Sequence, residues 1–336
     1  MTVRLGINGF GRIGRDILRY VLQQPGSPVE VVAVNDVTSA ETLAHLLAYD
    51  STYGRLGQQV EVRDSTISVG TQRVSVENCP DPAALPWAEL GVDVVIESTG
   101  RFRTREAAAT HLAAGARKVI ISAPGKGVDA TIVLGVNDDT YDPVNHHVIS
   151  NASCTTNCAA PMVRVLHRAF GIRRGLMTTI HSYTNDQSLL DGPHKDLRRA
   201  RSAAVNLIPT STGAAKAIGE VIPGLAGRLD GVAVRVPVED GSLTDLSVLL
   251  DKPVTAEVVN EAFAEAADGD LKGLLRYTER PIVSRDIIGD PASCVFDASL
   301  TKASDRLVKV FGWYDNEWGY AARTVELAEL IGRSLS

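Results

Sequence analysis

Six consecutive residues, Gly9-Phe10-Gly11-Arg12-Ile13-Gly14, constrain this chain more than any other stretch. They follow an alternating run at 3–8, with Val3, Leu5 and Ile7 on one face. They open a helical pattern of Ile13, Ile17 and Val21 that Pro25-Gly26 stops. Glycines spaced G-x-G-x-x-G between strand and helix allow a tight turn, close approach of the backbone to a pyrophosphate, and close helix–strand packing. The start of the helix then offers free N–H groups and partial positive charge to the phosphates. The β-branched run at 29–34 suits a parallel strand buried on both faces, and it ends at Val34-Asn35-Asp36. An acid there would meet the adenosine ribose hydroxyls; the alternative is that Asp36 caps a loop. Further strand patterns at 92–97, 118–122 and 131–136, with a helical stretch at 105–114, predict a doubly wound, mostly parallel sheet.

From about residue 150 the rhythm changes. Strands are expected at 177–183, 232–238 and 243–250, and helices at 162–170, 214–221 and 254–267. Without the regular βαβ beat, these elements predict an α+β domain around a mostly antiparallel sheet. A length of 336 residues makes two domains the default. The last helical run, 321–333, is compatible with either.

Composition serves mainly to exclude. The net charge, 34 − 40 = −6, disfavours a general nucleic-acid or anionic-membrane binder. No apolar run approaches the roughly 18 residues of a membrane span, and the first residues lack a signal-peptide core. The four cysteines, Cys79, Cys154, Cys158 and Cys294, are too sparse for a disulfide scaffold, so a reducing, cytoplasmic setting is expected.

Cys154 sits in Ser150-Asn151-Ala152-Ser153-Cys154-Thr155-Thr156-Asn157-Cys158, a small polar run after a strand and before a helix. A cysteine in a first helical turn has its thiolate favoured by the helix dipole and free N–H groups. Pro161 lies inside the same pattern and predicts a kink. Three other fates compete: buried structural cysteines, metal ligands, or a redox pair. C-x3-C has neither zinc-like nor redox spacing, so no metal is expected. Polar neighbours favour a reactive Cys154, with Cys158 the better structural candidate. His181, near the end of a strand, is the best placed of the seven histidines to act as its base. Arg235 lies opposite four valines in an alternating run, where a rigid guanidinium suits a phosphate or simply faces solvent. Hydroxyls and Gly213 open a helix in Pro209-Thr210-Ser211-Thr212-Gly213-Ala214-Ala215-Lys216, a second anion cradle. The basic run 194–201 between them is either an anion contact or a solvated face.

With these motifs the chain resembles the glyceraldehyde-3-phosphate dehydrogenases, from Asn8 to the C-terminal helix. The cysteine motif, Pro209-Thr-Ser-Thr-Gly-Ala-Ala215 and Trp313-Tyr-Asp-Asn-Glu-Trp-Gly-Tyr320, in that order, are specific to that family. The resemblance implies a Rossmann-type NAD-binding domain over 1–152, to which the C-terminal helix at about 318–336 returns, and a catalytic domain over 153–317. It implies Cys154 as nucleophile and His181 as base. Gly9, Gly11, Arg12, Ile13, Gly14, Asp36, Thr99, Ser122 and Asn316 would bind NAD, Asn316 holding the nicotinamide carboxamide. Thr184 and Arg235 would hold the phosphate of glyceraldehyde 3-phosphate. Ser153, Thr155, Thr212 and Gly213 would hold inorganic phosphate, with Arg199 reaching the same region. It further implies a homotetramer, in which the loop after His181 packs on a neighbouring subunit. Two rivals share the fold: erythrose-4-phosphate dehydrogenase, disfavoured by the intact Ser211-Thr212-Gly213, and a catalytically silent binding protein.

Three positions depart from the family: Asn78-Cys79-Pro80 where many members carry arginine near the adenine, Gly192 where strictly NAD-specific members often carry leucine, and Ala159 in place of a bulkier residue. Gly192 and the nearby Arg198, Arg199 and Arg201 ease the approach of a 2′-phosphate, whereas the Asp36 carboxylate repels it. The carboxylate is the local term and is expected to win. Steady-state kinetics with both cofactors should show NAD preferred by the wild type and relative NADP use raised in Asp36→Gly. Preference of the wild type for NADP, or no gain in the variant, would contradict this assignment.

Overall fold

The computed structural model describes residues 2–335. The chain groups into two compact units. One contains the chain up to Ile132, Asp139–Ala152 and the chain from Ala321; the other contains Val133–Asp138 and Ser153–Tyr320.

Among the described residues, the first unit carries a nine-stranded sheet. Its parallel part runs Ala130–Thr131, Val148–Ser150, Lys118–Ile121, Val94–Glu97, Val3–Asn8, Val29–Asn35 and Gln72–Glu77 in spatial order. The antiparallel strands Thr66–Val69 and Val60–Arg63 finish one edge. The central strands are buried along their whole length, as their β-branched sequences require. Val3–Asn8 has Val29–Asn35 on one side and Val94–Glu97 on the other, so strand order reverses there. Such a switch point leaves a crevice beyond the strand ends, where the glycine-rich turn lies. Gly9 takes φ +94°, and a Cβ on it would come 2.7 Å from Thr99 N. A Cβ on Gly14 would lie 2.4 Å from Gly9 O, so only glycine lets the helix Arg12–Leu22 start this close to the strand.

Two expectations need correction. The strand pattern at 131–136 pairs only over Ala130–Thr131. Beyond it, Asn137 Oδ1 accepts the Val133 N–H at 2.8 Å and Asp138 Oδ1 accepts the Gly135 N–H at 2.7 Å, with Gly135 at φ +73°. Side-chain acceptors have replaced the ladder. The helix at 105–114 is divided into Arg105–Ala108 and Thr110–Ala113, where the Thr110 hydroxyl donates back to Ala107 O at 2.7 Å. From Ala321 onward the helix Trp318–Arg333 groups with the first unit. Thr324 Oγ1 accepts from Asn151 Nδ2 at 3.1 Å, and a Cβ on Gly332 would lie 2.1 Å from Val3 Cγ2.

The second unit is a mixed sheet in the order Ile208–Ser211, Leu229–Val236, Ile172–Ser182, Ser242–Leu250, Leu307–Tyr314, Cys294–Asp297, Leu275–Thr278, with Lys302–Ser304 beside Leu307–Tyr314. Most pairs are antiparallel; Ile172–Ser182 with Leu229–Val236 and Leu275–Thr278 with Cys294–Asp297 are parallel. The helix Cys154–Phe170 runs on through Pro161 and packs on Ser242–Leu250 and Leu307–Tyr314. Close approach is possible because residue 312 is glycine: a Cβ there would come within 2.6 Å of Met162 Sδ and Cys294 Sγ.

A buried carboxyl pair, Asp240 and Asp315, adjoins the start of Ser242–Leu250, and the two side chains are hydrogen-bonded to each other. Asp315 accepts N–H groups from Gly289 (2.7 Å), Glu317 (3.0 Å) and Trp318 (2.7 Å), so the shared proton falls to Asp240. Burial first, then the charge of Asp315, pushes Asp240 up to about 9. Folding therefore takes up a proton between about pH 4, where an unfolded aspartate ionises, and about pH 9. Stability from this group falls as pH rises through that window. Asp240→Asn keeps a donor toward Asp315 without a titrating proton. Urea midpoints followed across the window should therefore decline with pH less steeply in Asp240→Asn than in wild type; parallel profiles would contradict the shared proton.

Candidate active site

The nucleophile candidate is placed by a helix start. Ser153 caps the helix, its Oγ accepting the Thr156 N–H at 3.0 Å, so Cys154 is the first helical residue. Ahead of the cap, Ala152 takes φ +53°, a left-handed conformation unusual for alanine, and its N–H donates to Ser150 Oγ at 3.0 Å.

Inside the second unit, Cys154 Sγ lies 3.5 Å from His181 Nε2. His181 Nδ1 is 2.8 Å from Ser182 O. Arg235 Nη1 is also 2.8 Å from Nδ1; the carbonyl only accepts and the guanidinium only donates, so the two contacts compete for the protonation of Nδ1, while Nε2 faces the sulfur. In the parallel pairing of Ile172–Ser182 with Leu229–Val236, His181 stands opposite Arg235. Arg235 Nη1 donates to Ser182 O at 3.0 Å and approaches Thr184 Oγ1 at 3.5 Å. On that strand Ala233 is buried and Val232 exposed, so Arg235 belongs to the inner face and the valines to the outer one.

Burial opposes charge on either partner. It pushes the Cys154 thiol up to about 11, against the pull of Arg235 and of hydrogen bonds from Thr155, and it drives His181 down to about 3, with Arg235 adding to the effect. A lone thiolate or a lone imidazolium is costly here, so the proton is best moved between the two as one unit.

Tyr314 was not signalled by spacing or charge. Its hydroxyl bridges Thr155 Oγ1 (2.9 Å) and Thr179 Oγ1 (2.8 Å), and its ring meets His181 edge-on with centroids 6.0 Å apart. The period-2 burial of Leu307–Tyr314 is the pattern that points it inward. Asn316 Oδ1 accepts from Ser182 Oγ (2.8 Å) and Ser242 Oγ (2.6 Å). In this orientation Nδ2 is the remaining donor.

The expected phosphate residues fall into different states. Thr184 and Arg235 lie together beside His181. Arg199 is held by Asp186, Thr210 Oγ1 (2.9 Å) and Ser211 O (3.1 Å). Thr212 Oγ1 accepts the Ala214 N–H at 3.2 Å, and Gly213 precedes the helix Ala214–Val221 with no side-chain cap and open space where a Cβ would stand. The hydroxyls of Ser153 and Thr155 are engaged by the helix cap and by Tyr314, which leaves the main chain of the helix start as their offering to an anion.

In the first unit, a cleft of about 250 Å³ is lined by Gly9, Gly11, Asp36, Cys79, Thr99 and Arg101, among others. Gly11 precedes the helix Arg12–Leu22 without a side-chain cap, and a Cβ on it would touch nothing within 4 Å. Open space at a helix start without a side-chain cap suits a pyrophosphate. The Arg12 side chain itself is bound to Asp50. Asp36 accepts the N–H groups of Phe10 (2.9 Å) and Thr38 (3.1 Å), which aims its carboxylate along the cleft. Ser122 Oγ donates to Glu97 O at 3.2 Å. These residues fit a dinucleotide. Among the described residues, no group of three or more His, Cys, Asp or Glu is arranged to hold a metal ion, and no helix is long and apolar enough to cross a membrane.

Comparison with known proteins agrees with this arrangement. The family model described as "Glyceraldehyde 3-phosphate dehydrogenase, NAD binding domain" matches residues 3–105, and that described as "Glyceraldehyde 3-phosphate dehydrogenase, C-terminal domain" matches 153–316. The chain is similar to "Glyceraldehyde-3-phosphate dehydrogenase" of Streptomyces coelicolor, 60% identical over 337 residues covering 100% of both chains. The same name is carried by relatives in Mycobacterium avium, 59% identical over 340 residues and 100% of both chains, and Geobacillus stearothermophilus, 58% identical over 332 residues and 98% of both. The chain belongs to the glyceraldehyde-3-phosphate dehydrogenase family.

Proposed function

We infer that the protein oxidises glyceraldehyde 3-phosphate to 1,3-bisphosphoglycerate, consuming inorganic phosphate and reducing NAD, as a step of glycolysis and gluconeogenesis. The observation that carries this reading is the 3.5 Å contact between Cys154 Sγ and Nε2 of His181, in a chain of this family. The Cys154 sulfur adds to the aldehyde carbon as its proton passes to His181 Nε2, and His181 returns that proton to the new alkoxide oxygen to give a hemithioacetal. His181 then takes the hemithioacetal O–H proton as the carbon loses hydride, leaving a thioester on Cys154. When bound, NAD supplies the hydride acceptor. Inorganic phosphate attacks the thioester carbon, the acyl phosphate leaves, and the Cys154 thiolate recovers its proton from His181.

We assign the substrate's phosphate to Arg235 and Thr184. Inorganic phosphate falls to the helix starts at Ser153–Thr155 and Thr212–Gly213, with Arg199 nearby. Gly9, Gly11, Arg12, Ile13, Gly14, Asp36, Thr99 and Ser122 hold the cofactor, and the free Nδ2 of Asn316 suits its carboxamide oxygen. The division of labour follows as 1–152 with 318–336 for NAD and 153–317 for chemistry. A homotetramer in the cytoplasm completes the reading. Support for assembly comes from the outer face of the second unit's sheet, where a hollow of about 790 Å³ is bordered by Leu176, Leu229 and Leu307. Leu176 and Leu307 are more than half exposed, as are Leu189, Leu190 and Leu197 in the loop after His181.

Formation of NADH from NAD, glyceraldehyde 3-phosphate and phosphate tests the assignment directly; no turnover would refute it. Cys154→Ser should abolish turnover while leaving NAD binding intact. His181→Asn should retain a slow reaction with a changed pH profile, since a general base contributes roughly 10²–10⁴-fold. Near-normal turnover by Cys154→Ser would exclude the thioester route. Arg235→Leu should reduce use of glyceraldehyde 3-phosphate by about tenfold more than use of unphosphorylated glyceraldehyde. Equal losses on the two substrates would make Arg235 structural.

A further inference from the structure

Beneath the glycine-rich turn of the first unit lies a polar network that the reaction above leaves unused. Asn8, Asn35, Glu97 and His111 are all buried. Trp87 Nε1 lies 3.0 Å from His111 Nδ1. An indole nitrogen only donates, so Nδ1 accepts and the ring proton sits on Nε2. His111 Nε2 donates to Glu97 Oε2 at 3.1 Å. Asn8 Nδ2 is 3.4 Å from that same Nε2, donor facing donor, and sends its hydrogen to Glu97 Oε2 at 2.6 Å. The other oxygen, Oε1, accepts the Thr99 N–H at 2.8 Å and the Thr99 hydroxyl. Four donors therefore converge on one buried carboxylate.

The network reaches the cleft from three sides. Thr99 lines it, and its Oγ1 also accepts the Arg101 N–H at 3.1 Å. Asn8 directly precedes Gly9, and its Oδ1 accepts from Asn35 Nδ2 at 2.7 Å. Asn35 in turn grips the main chain of Cys79, donating to its C=O and accepting its N–H, each at 2.9 Å.

We propose that Glu97, backed by His111 and Trp87, is a positioning residue that registers the Gly9, Thr99 and Cys79 walls of the cofactor cleft, so that NAD affinity depends on its acceptor pattern. This rests on the assignment of the cleft to NAD. A glutamine at position 97 conserves shape and breaks the pattern. Whichever way its amide is turned, an N–H₂ group faces either Asn8 and His111 or the Thr99 N–H. His111 cannot adapt by changing tautomer, because the Trp87 N–H occupies Nδ1. The mismatch is relieved only by moving a wall of the cleft.

Calorimetric NAD titrations of wild type, Glu97→Gln and the double variant Asn8→Asp/Glu97→Gln test the proposal. In the double variant the carboxylate stands one side chain over, within reach of both the position-97 amide and His111 Nε2, and every donor again meets an acceptor. Glu97→Gln should weaken NAD binding by about tenfold or more, and the double variant should return it to within about threefold of wild type. The rate of Cys154 alkylation by iodoacetamide should be the same in all three. Wild-type affinity in Glu97→Gln, or a loss that the double variant does not restore, would overturn the proposal. Should Glu97→Gln not fold, His111→Leu, which removes the Nε2–H donor to Glu97 and lies outside the cleft lining, must itself weaken NAD binding by about threefold or more; unchanged binding overturns the proposal. Failure of the wild type to bind NAD would instead remove the cleft assignment on which it rests.

Discussion

The chemistry of this protein depends on one contact, the 3.5 Å approach of Cys154 Sγ to His181 Nε2. His181 is buried and Cys154 partly buried, and burial disfavours charge on each of them taken alone. Most of the surrounding structure maintains the contact. The Ser153 cap fixes Cys154 at the first helical position, the Ser182 carbonyl and the Arg235 guanidinium both hold His181 at Nδ1, and Tyr314 braces both elements through Thr155 and Thr179. Gly312 lets the helix carrying the cysteine settle onto the sheet.

The parallel register of Ile172–Ser182 and Leu229–Val236 does a second job. It sets Arg235 opposite His181, so a fixed positive charge lies beside the thiol–imidazole pair. That charge favours a thiolate and opposes an imidazolium, and burial weakens the hold of Arg235 on its own proton. An anionic substrate group at Arg235 would offset the guanidinium charge and relieve the opposition to imidazolium formation. An anion bound there would thus couple its own binding to proton transfer through a single side chain.

Much of this was legible in the sequence, though unevenly. The glycine motif between a strand and a helix is legible because Gly9 and Gly14 answer to sterics that no other residue satisfies. The cysteine helix and Arg235 strand were readable from polar spacing and period-2 alternation. The run at 131–136 was misread because Asn137 and Asp138 divert backbone groups into side-chain bonds, a competition that hydrophobic pattern does not reveal. Tyr314, Ser182, Ser242 and the Asp240–Asp315 pair were missed for another reason. Their roles exist only through partners distant in the chain, such as Asn316 with Ser182 and Ser242. The tautomer of His111 is illegible in principle, since it follows from a neighbour that only donates.

The covalent step is the claim on which everything else about function turns. It is tested most directly by incubating the protein with NAD and glyceraldehyde 3-phosphate without inorganic phosphate, quenching in acid, and locating any adduct by peptide fragmentation in a mass spectrometer. A phosphoglyceryl thioester on Cys154, discharged when phosphate is added before the quench, is the expected result. No acyl adduct, or one carried by Cys79, Cys158 or Cys294 instead, would contradict it.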